Sequence, residues 1–221
     1  GGADISWRIM REDKIDNQLV HLIDSGIDTG PVITHNSSIY PKWCKIPIDY
    51  EEHSTKLVLK FYEDFIKKIK NGKSFQLKHQ MDYIGRYNPR LSSVENSFID
   101  WNFQPRELYS FINSFDEPYI GATTFLNNGN CEKVHLKNVH LHGGDSSNHP
   151  FMTGLISRHD KKWIVVSTGG KYSLLVEKVL NEKGENILHK IKAGDRFYTP
   201  QEYLDNSFSK RVVYNALEKK Q

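Results

Sequence analysis

Cysteine is scarce in this sequence: Cys44 and Cys131 are the two in 221 residues. That excludes a disulfide framework and makes reduced thiols the expectation. Long hydrophobic runs are missing as well. No stretch approaches the ~18 apolar residues of a membrane-spanning helix. Charge of one sign is nearly absent in excess, since 30 basic residues face 27 acidic ones for a formal net charge of +3. So small a surplus creates no field that would by itself mark a nucleic-acid or membrane-surface binder. The first residues, Gly1-Gly2-Ala3-Asp4-Ile5, have neither the basic region nor the apolar run of a secretory signal. A cytoplasmic protein with no membrane partner is the expectation. There is no glycine-rich phosphate loop, no HExxH pair and no serine elbow, which removes the commonest signatures of nucleotide, zinc and serine-nucleophile chemistry.

Apolar residues make up 38% of the chain and aromatic ones 12%, enough for a packed core. At ~100–200 residues per domain, the length suits one large or two small domains. The pattern is mixed α/β. Residues 5–10 fit either a strand or a helix start. Residues 18–23 form a short apolar run, 31–40 read as a strand, and the Gly- and Asp-containing segment 24–30 is a loop between them. Residues 51–70 predict the clearest helix, with Leu57, Val58, Phe61, Phe65, Ile66 and Ile69 along one stripe, and Asn71-Gly72 supplying its stop. After a polar stretch at 82–96, a second helix is predicted from Pro105 to before Pro118, turning Leu108, Phe111 and Ile112 inward. Strands are predicted at 123–126 and 134–141. Beyond the polar run 143–148 come strand candidates at 153–158, 162–168 and 172–179, with Gly169-Gly170 as a hairpin signal. A final amphipathic helix is expected near Pro200.

Two groups of residues suggest chemistry. Asp28-Thr29-Gly30 is the tripeptide that aspartic proteases use in pairs. One copy here would require a homodimer, and the long helix does not suit that all-β architecture; a polar turn is the plainer reading. His135, His140, His142, His149 and Asp145 crowd one region, and His140 and His142 would share a strand face. No cysteine pair accompanies them, and no metal site is assigned.

Read as one string, Gly2-Ala3-Asp4-Ile5-Ser6-Trp7 followed by VHLIDSGIDTGPVI at 20–33 resembles the second half of a 10-formyltetrahydrofolate-dependent formyltransferase domain, like that of methionyl-tRNA formyltransferases. Pro89-Arg90-Leu91, Ser97-Phe98-Ile99-Asp100-Trp101 and Pro118-Tyr119-Ile120-Gly121-Ala122 resemble later stretches of that family in the same order. Met152-Thr153-Gly154-Leu155-Ile156 through Glu177 resembles its C-terminal OB-like domain. The sequence departs from the family at Asp16-Asn17-Gln18-Leu19, at Asn113 and at Ile120. The resemblance implies an α/β fold: the C-terminal half of a Rossmann-like catalytic domain with its connecting segment over 1–145, then a small OB-like barrel and terminal helix over 146–221. It also implies an Asn-x-His pair and a Leu-Pro loop in sequence before Gly1. Without them the 221 residues alone are expected not to turn over, and a non-catalytic binding remnant is the alternative.

The chemistry the resemblance implies is formyl transfer from 10-formyltetrahydrofolate, a co-substrate, to a primary amine. The amine attacks the formyl carbon, and the site must stabilise an oxyanion and move protons. Asp28 matches the family's catalytic aspartate. Asp24, Ser25, Gly26 and Ile27 match the segment whose backbone lies against the pterin, where a glycine permits close approach. His21 matches a frequent family histidine, with a strand histidine packed beneath the loop as the alternative. The implied acceptor is Met-tRNA, with an amino-sugar nucleotide as the alternative.

Overall fold

Alternation along the second half of the chain resolves into one antiparallel sheet. The computed structural model describes residues 4–81, 87–144 and 147–210, with backbone alone at 213–214 and 219–220. In chain order the elements are α1 (Asp4–Met10), β1 (Ile15–His21), β2 (Val32–Ile39), α2 (Pro47–Lys70), α3 (Pro105–Ser114), β3 (Ala122–Asn127), β4 (Cys131–Gly143), β5 (Ile156–His159), β6 (Ile164–Val166), β7 (Tyr172–Asn181), β8 (Arg196–Tyr198), α4 (Gln201–Ser209), β9 (Val213–Tyr214) and β10 (Lys219–Lys220). They fall into two compact units: Asp13–Asn88, and Gly1–Glu12 together with Pro89–Gln221.

In the larger unit the strand order is β5-β6-β7-β4-β3-β8. A bridge between Leu155 and Arg196 brings the two ends of that order together, so the sheet curls back on itself. The glycine pair at 169–170 joins the antiparallel β6 and β7, as its hairpin signal predicted. The boundary expected after residue 145 falls between β4 and its long partner β7, inside the sheet. Residues 145 and 146 themselves lie outside the described residues.

Apolar side chains from both sheet and helix fill the core. Leu108 and Ile112 of α3 are fully buried, and they pack with Leu126, Leu136, Val139, Ile164 and Val176 in one cluster. α3 begins at Pro105 as predicted, because proline has no N–H to lose in a first turn and Glu107 accepts the Gln104 amide at 2.9 Å. Trp101 stacks on Phe197 with centroids 5.9 Å apart, and its indole N–H donates to Thr124 Oγ1 at 2.9 Å. The ambiguous segment 5–10 is helical: α1 lies on α3, where the Ser6 hydroxyl donates to the Ser114 carbonyl at 2.8 Å.

A charge is buried on β4. The Lys137 ammonium lies 2.7 Å from Glu117 and 3.6 Å from Asp116, and donates to the Tyr119 carbonyl at 2.7 Å. Next to it Asn138 takes a positive φ of 53° and turns its N–H to Asp116 Oδ2 at 2.6 Å. These contacts tie the turn before β3 to the middle of β4. Lys137 also holds the Glu117 carboxyl below its ordinary range, through the hydrogen bond first and its charge second.

The smaller unit is a β1-β2 hairpin with α2 against it. Its register runs from Ile15 opposite Ile39 to Val20 opposite Thr34, then shifts at Val20/His21. α2 starts earlier than the expected residue 51. Pro47 fits the first turn, and Asp49 Oδ2 accepts the Lys45 and Ile46 amides at 2.9 and 3.2 Å. Of the predicted stripe, Leu57, Val58, Phe61 and Phe65 are half-buried, whereas Ile66 and Ile69 are exposed. The buried face of β1 carries Asp16 and Gln18. A polar network satisfies them: Gln18 and Ser54 donate to Asp16 at 2.7 and 3.1 Å, Asn36 donates to Gln18 Oε1 at 3.0 Å, and the Tyr40 and Ser54 hydroxyls are 2.6 Å apart.

Candidate active site

The loop between β1 and β2 gathers every residue that the sequence singled out for catalysis and cofactor binding. It is closed at its base by the Leu22 amide donating to the Pro31 carbonyl at 3.0 Å. Gly30 is required there, since a Cβ would come within 1.7 Å of the Leu22 carbonyl oxygen. Gly26 is nearly as confined, with a Cβ falling 2.1 Å from Thr29 Oγ1. Asp24 organises the turn: its Oδ1 accepts the Gly26 amide at 3.0 Å and the Thr29 hydroxyl at 2.6 Å. The Thr29 hydroxyl, the Gly26 amide and the nearby His21 together hold the Asp24 carboxyl below its ordinary value, the hydroxyl contributing most.

Asp28 stands at the crown with a left-handed backbone, φ +56°. Aspartate tolerates that region better than most residues, so an Asp-Thr-Gly crown suits the geometry. Its side chain is 86% exposed, and Oδ1 lies 3.7 Å from His21 Nε2. The other imidazole nitrogen, Nδ1, lies 2.8 Å from the Leu22 carbonyl, which fixes the ring's direction. Ser25 is exposed, and Ile23 and Ile27 project into solvent at 95% and 93% exposure. An open carboxylate beside an oriented imidazole, flanked by bare peptide groups and two apolar side chains, can handle a proton next to a flat, partly polar ligand.

One contributor gave no sequence signal. Gln80 lies far along the chain, yet its Nε2 donates to the Asp28 and Gly30 carbonyls at 3.0 and 2.7 Å. Only pairing between segments brings it there, and no local motif announces that.

The crowded histidines separate. His135 is buried with its ring 3.1 Å from Thr123 Oγ1, His140 meets Glu177 at 3.3 Å, His142 meets Arg158 at 2.7 Å, and His149 Nδ1 accepts the Phe151 amide at 3.2 Å. Among the described residues no three His, Cys, Asp or Glu side chains group as metal ligands, and Asp145 lies outside them. Of the Gly2-Ala3-Asp4-Ile5-Ser6-Trp7 stretch, Gly2 and Ala3 lie outside too, while the rest opens α1. In the polar stretch 82–96, residues 82–86 also lie outside.

Residues 92–191 match the family described as formyl transferase, C-terminal domain. Over that stretch the chain is similar to the formyltransferases. A methionyl-tRNA formyltransferase of Ruminiclostridium cellulolyticum is 26% identical over 182 residues, which is 80% of this chain and 54% of that protein. Another from Prochlorococcus marinus is 30% identical over 139 residues, covering 58% of this chain and 40% of the relative. The chain therefore spans about half the length of the curated relatives it matches. Among solved structures, HypX from Aquifex aeolicus in complex with tetrahydrofolic acid aligns with a TM-score of 0.60 at 16% identity, over 95% of this chain and 33% of that one. An N-formyltransferase from Helicobacter canadensis with folinic acid and dTDP-3-aminofucose aligns at 0.52 and 17% identity, over 77% and 58%. These two likenesses are of fold. The mixed α/β fold with a curled antiparallel sheet agrees with a formyltransferase C-terminal domain. Among the described residues, no helix is long and apolar enough to cross a membrane.

Proposed function

We propose that the protein carrying this chain transfers a formyl group from 10-formyltetrahydrofolate to a primary amine. The observation that supports this best is Asp28, an open carboxylate 3.7 Å from His21, in a chain whose residues 92–191 match the formyl transferase C-terminal domain. The loop suits a folate. Ser25, Gly26 and Ile27 are exposed and Gly26 carries no side chain, so a flat ring can approach their peptide groups, with Ile23 and Ile27 offering apolar contact. 10-Formyltetrahydrofolate supplies the formyl carbon when bound. Asp28 is placed to take the proton that an attacking amine gives up, directly or through one water, and to hold negative charge beside an imidazole.

The curled sheet, closed through Leu155 and Arg196, is read as the OB-like barrel, a form that commonly contacts nucleic acid. Met-tRNA is the proposed acceptor, because the relatives found by sequence are methionyl-tRNA formyltransferases. The test is an initial-rate assay on the complete protein with 10-formyltetrahydrofolate and either Met-tRNA or an amino-sugar nucleotide. Formylation of Met-tRNA alone supports the proposal. Formylation of the sugar alone replaces the acceptor, and transfer to neither removes the activity.

A further inference from the structure

The Asp28 carboxylate does little to orient itself. It is 86% exposed, and His21 Nε2 lies beyond hydrogen-bond length at 3.7 Å. Its direction must therefore come from the backbone beneath it. One side of that backbone is held by the Asp24 tether to Gly26 and Thr29. On the other side the hairpin's own closing bond, Leu22 to Pro31, lies at the base of the loop.

A further hold comes from another segment. Val32 and Lys78 exchange both backbone hydrogen bonds, at 2.8 and 2.9 Å, as an isolated antiparallel bridge at the start of β2. Continuing the register outward places Gln80 opposite Gly30. There a single primary amide, which has two N–H donors, serves two acceptors: the Asp28 carbonyl at 3.0 Å and the Gly30 carbonyl at 2.7 Å. These carbonyls lie on either side of Thr29, whose own hydroxyl is bound to Asp24. The crown is clamped from both sides, and the left-handed Asp28 is fixed between them.

We propose that Gln80 is a positioning residue for formyl transfer, holding Asp28 in its working direction without touching substrate. The inference rests on Asp28 having the role given above, but the clamp itself is testable apart from it. Gln80→Met keeps the length and loses both donors. Gln80→Glu keeps the shape and sets a carboxylate against two carbonyl oxygens. Each is made in the complete protein and read two ways. Hydrogen exchange over residues 24–30 is expected to quicken ~10-fold or more in both variants, with unchanged exchange in α2 and α3. In the formyl-transfer assay, kcat is expected to fall ~10-fold in Gln80→Met and further in Gln80→Glu, with the acceptor KM preserved. Unchanged exchange in the loop overturns the clamp. Quickened exchange with kcat unaltered overturns the positioning role. If the unmodified protein shows no formyl transfer, the functional reading fails, and the exchange result still decides whether Gln80 holds Asp28.

Discussion

His21 Nε2 faces Asp28 Oδ1 at 3.7 Å across a loop that the chain closes with two glycines lacking room for a Cβ. The pair joins a strand end to a loop crown, so anything that loosens the loop separates the two side chains. The loop's internal tether is the first place to see this. The Thr29 hydroxyl is the largest influence holding the Asp24 carboxyl below its ordinary 3.8. A depressed carboxyl pKa means the tether is intact above that ordinary value and is lost as pH falls through the lowered one. Thr29→Val is expected to move the Asp24 titration up toward 3.8, read by side-chain carbon NMR. A midpoint that stays in place assigns the depression to the Gly26 amide and His21 instead.

The larger unit holds a buried charge. Lys137 and Asp116 are both buried, at 3% and 3% exposure. Lys137→Met removes the cation beside Asp116 and leaves it only the Asn138 and Glu117 amides among its described partners, and the expected cost is about 3 kcal/mol in urea unfolding, the range for breaking a buried pair from one side. A loss under ~1 kcal/mol shows that the pair behaves like a surface contact.

The loop that carries the candidate site was legible because its signals are local. Two glycines and two aspartates between apolar runs predict a tight polar loop, and the loop is where Asp24 and Asp28 stand. Pro105 marks the start of α3 for an equally local reason. What was not legible depends on pairing at a distance. Gln80 reaches the loop through the Val32–Lys78 bridge. The curl of the sheet rests on Leu155 meeting Arg196. Hydrophobic alternation also misleads in β1, where Asp16 and Gln18 face inward because Ser54 and Asn36 satisfy them. The early start of α2 depends on Asp49 reaching back to two amides, which periodicity does not register. The histidine cluster dissolves because β4 sends each ring to a different partner.

His135 carries a pH dependence of its own. Burial, and then the charge of Lys133, push its pKa below the ordinary 6.5, against a smaller pull upward from Glu182. The unfolded chain binds the proton first, so stability is complete above about 6.5 and falls as the solution is acidified below it. The slope from this one group is at most about 1.4 kcal/mol per pH unit. Urea midpoints measured between neutral pH and about pH 5.5 are expected to drop less in His135→Gln than in the unmodified chain. Equal drops assign the acid sensitivity to other groups.

The role given to Asp28 stands or falls on Asp28→Asn in the complete protein, assayed for formyl transfer from 10-formyltetrahydrofolate. The substitution keeps the side chain's shape and removes its charge and its capacity to take a proton. The expected result is a kcat at least ~100-fold lower, with folding and loop exchange unchanged. A variant that transfers formyl as fast as the unmodified protein contradicts it.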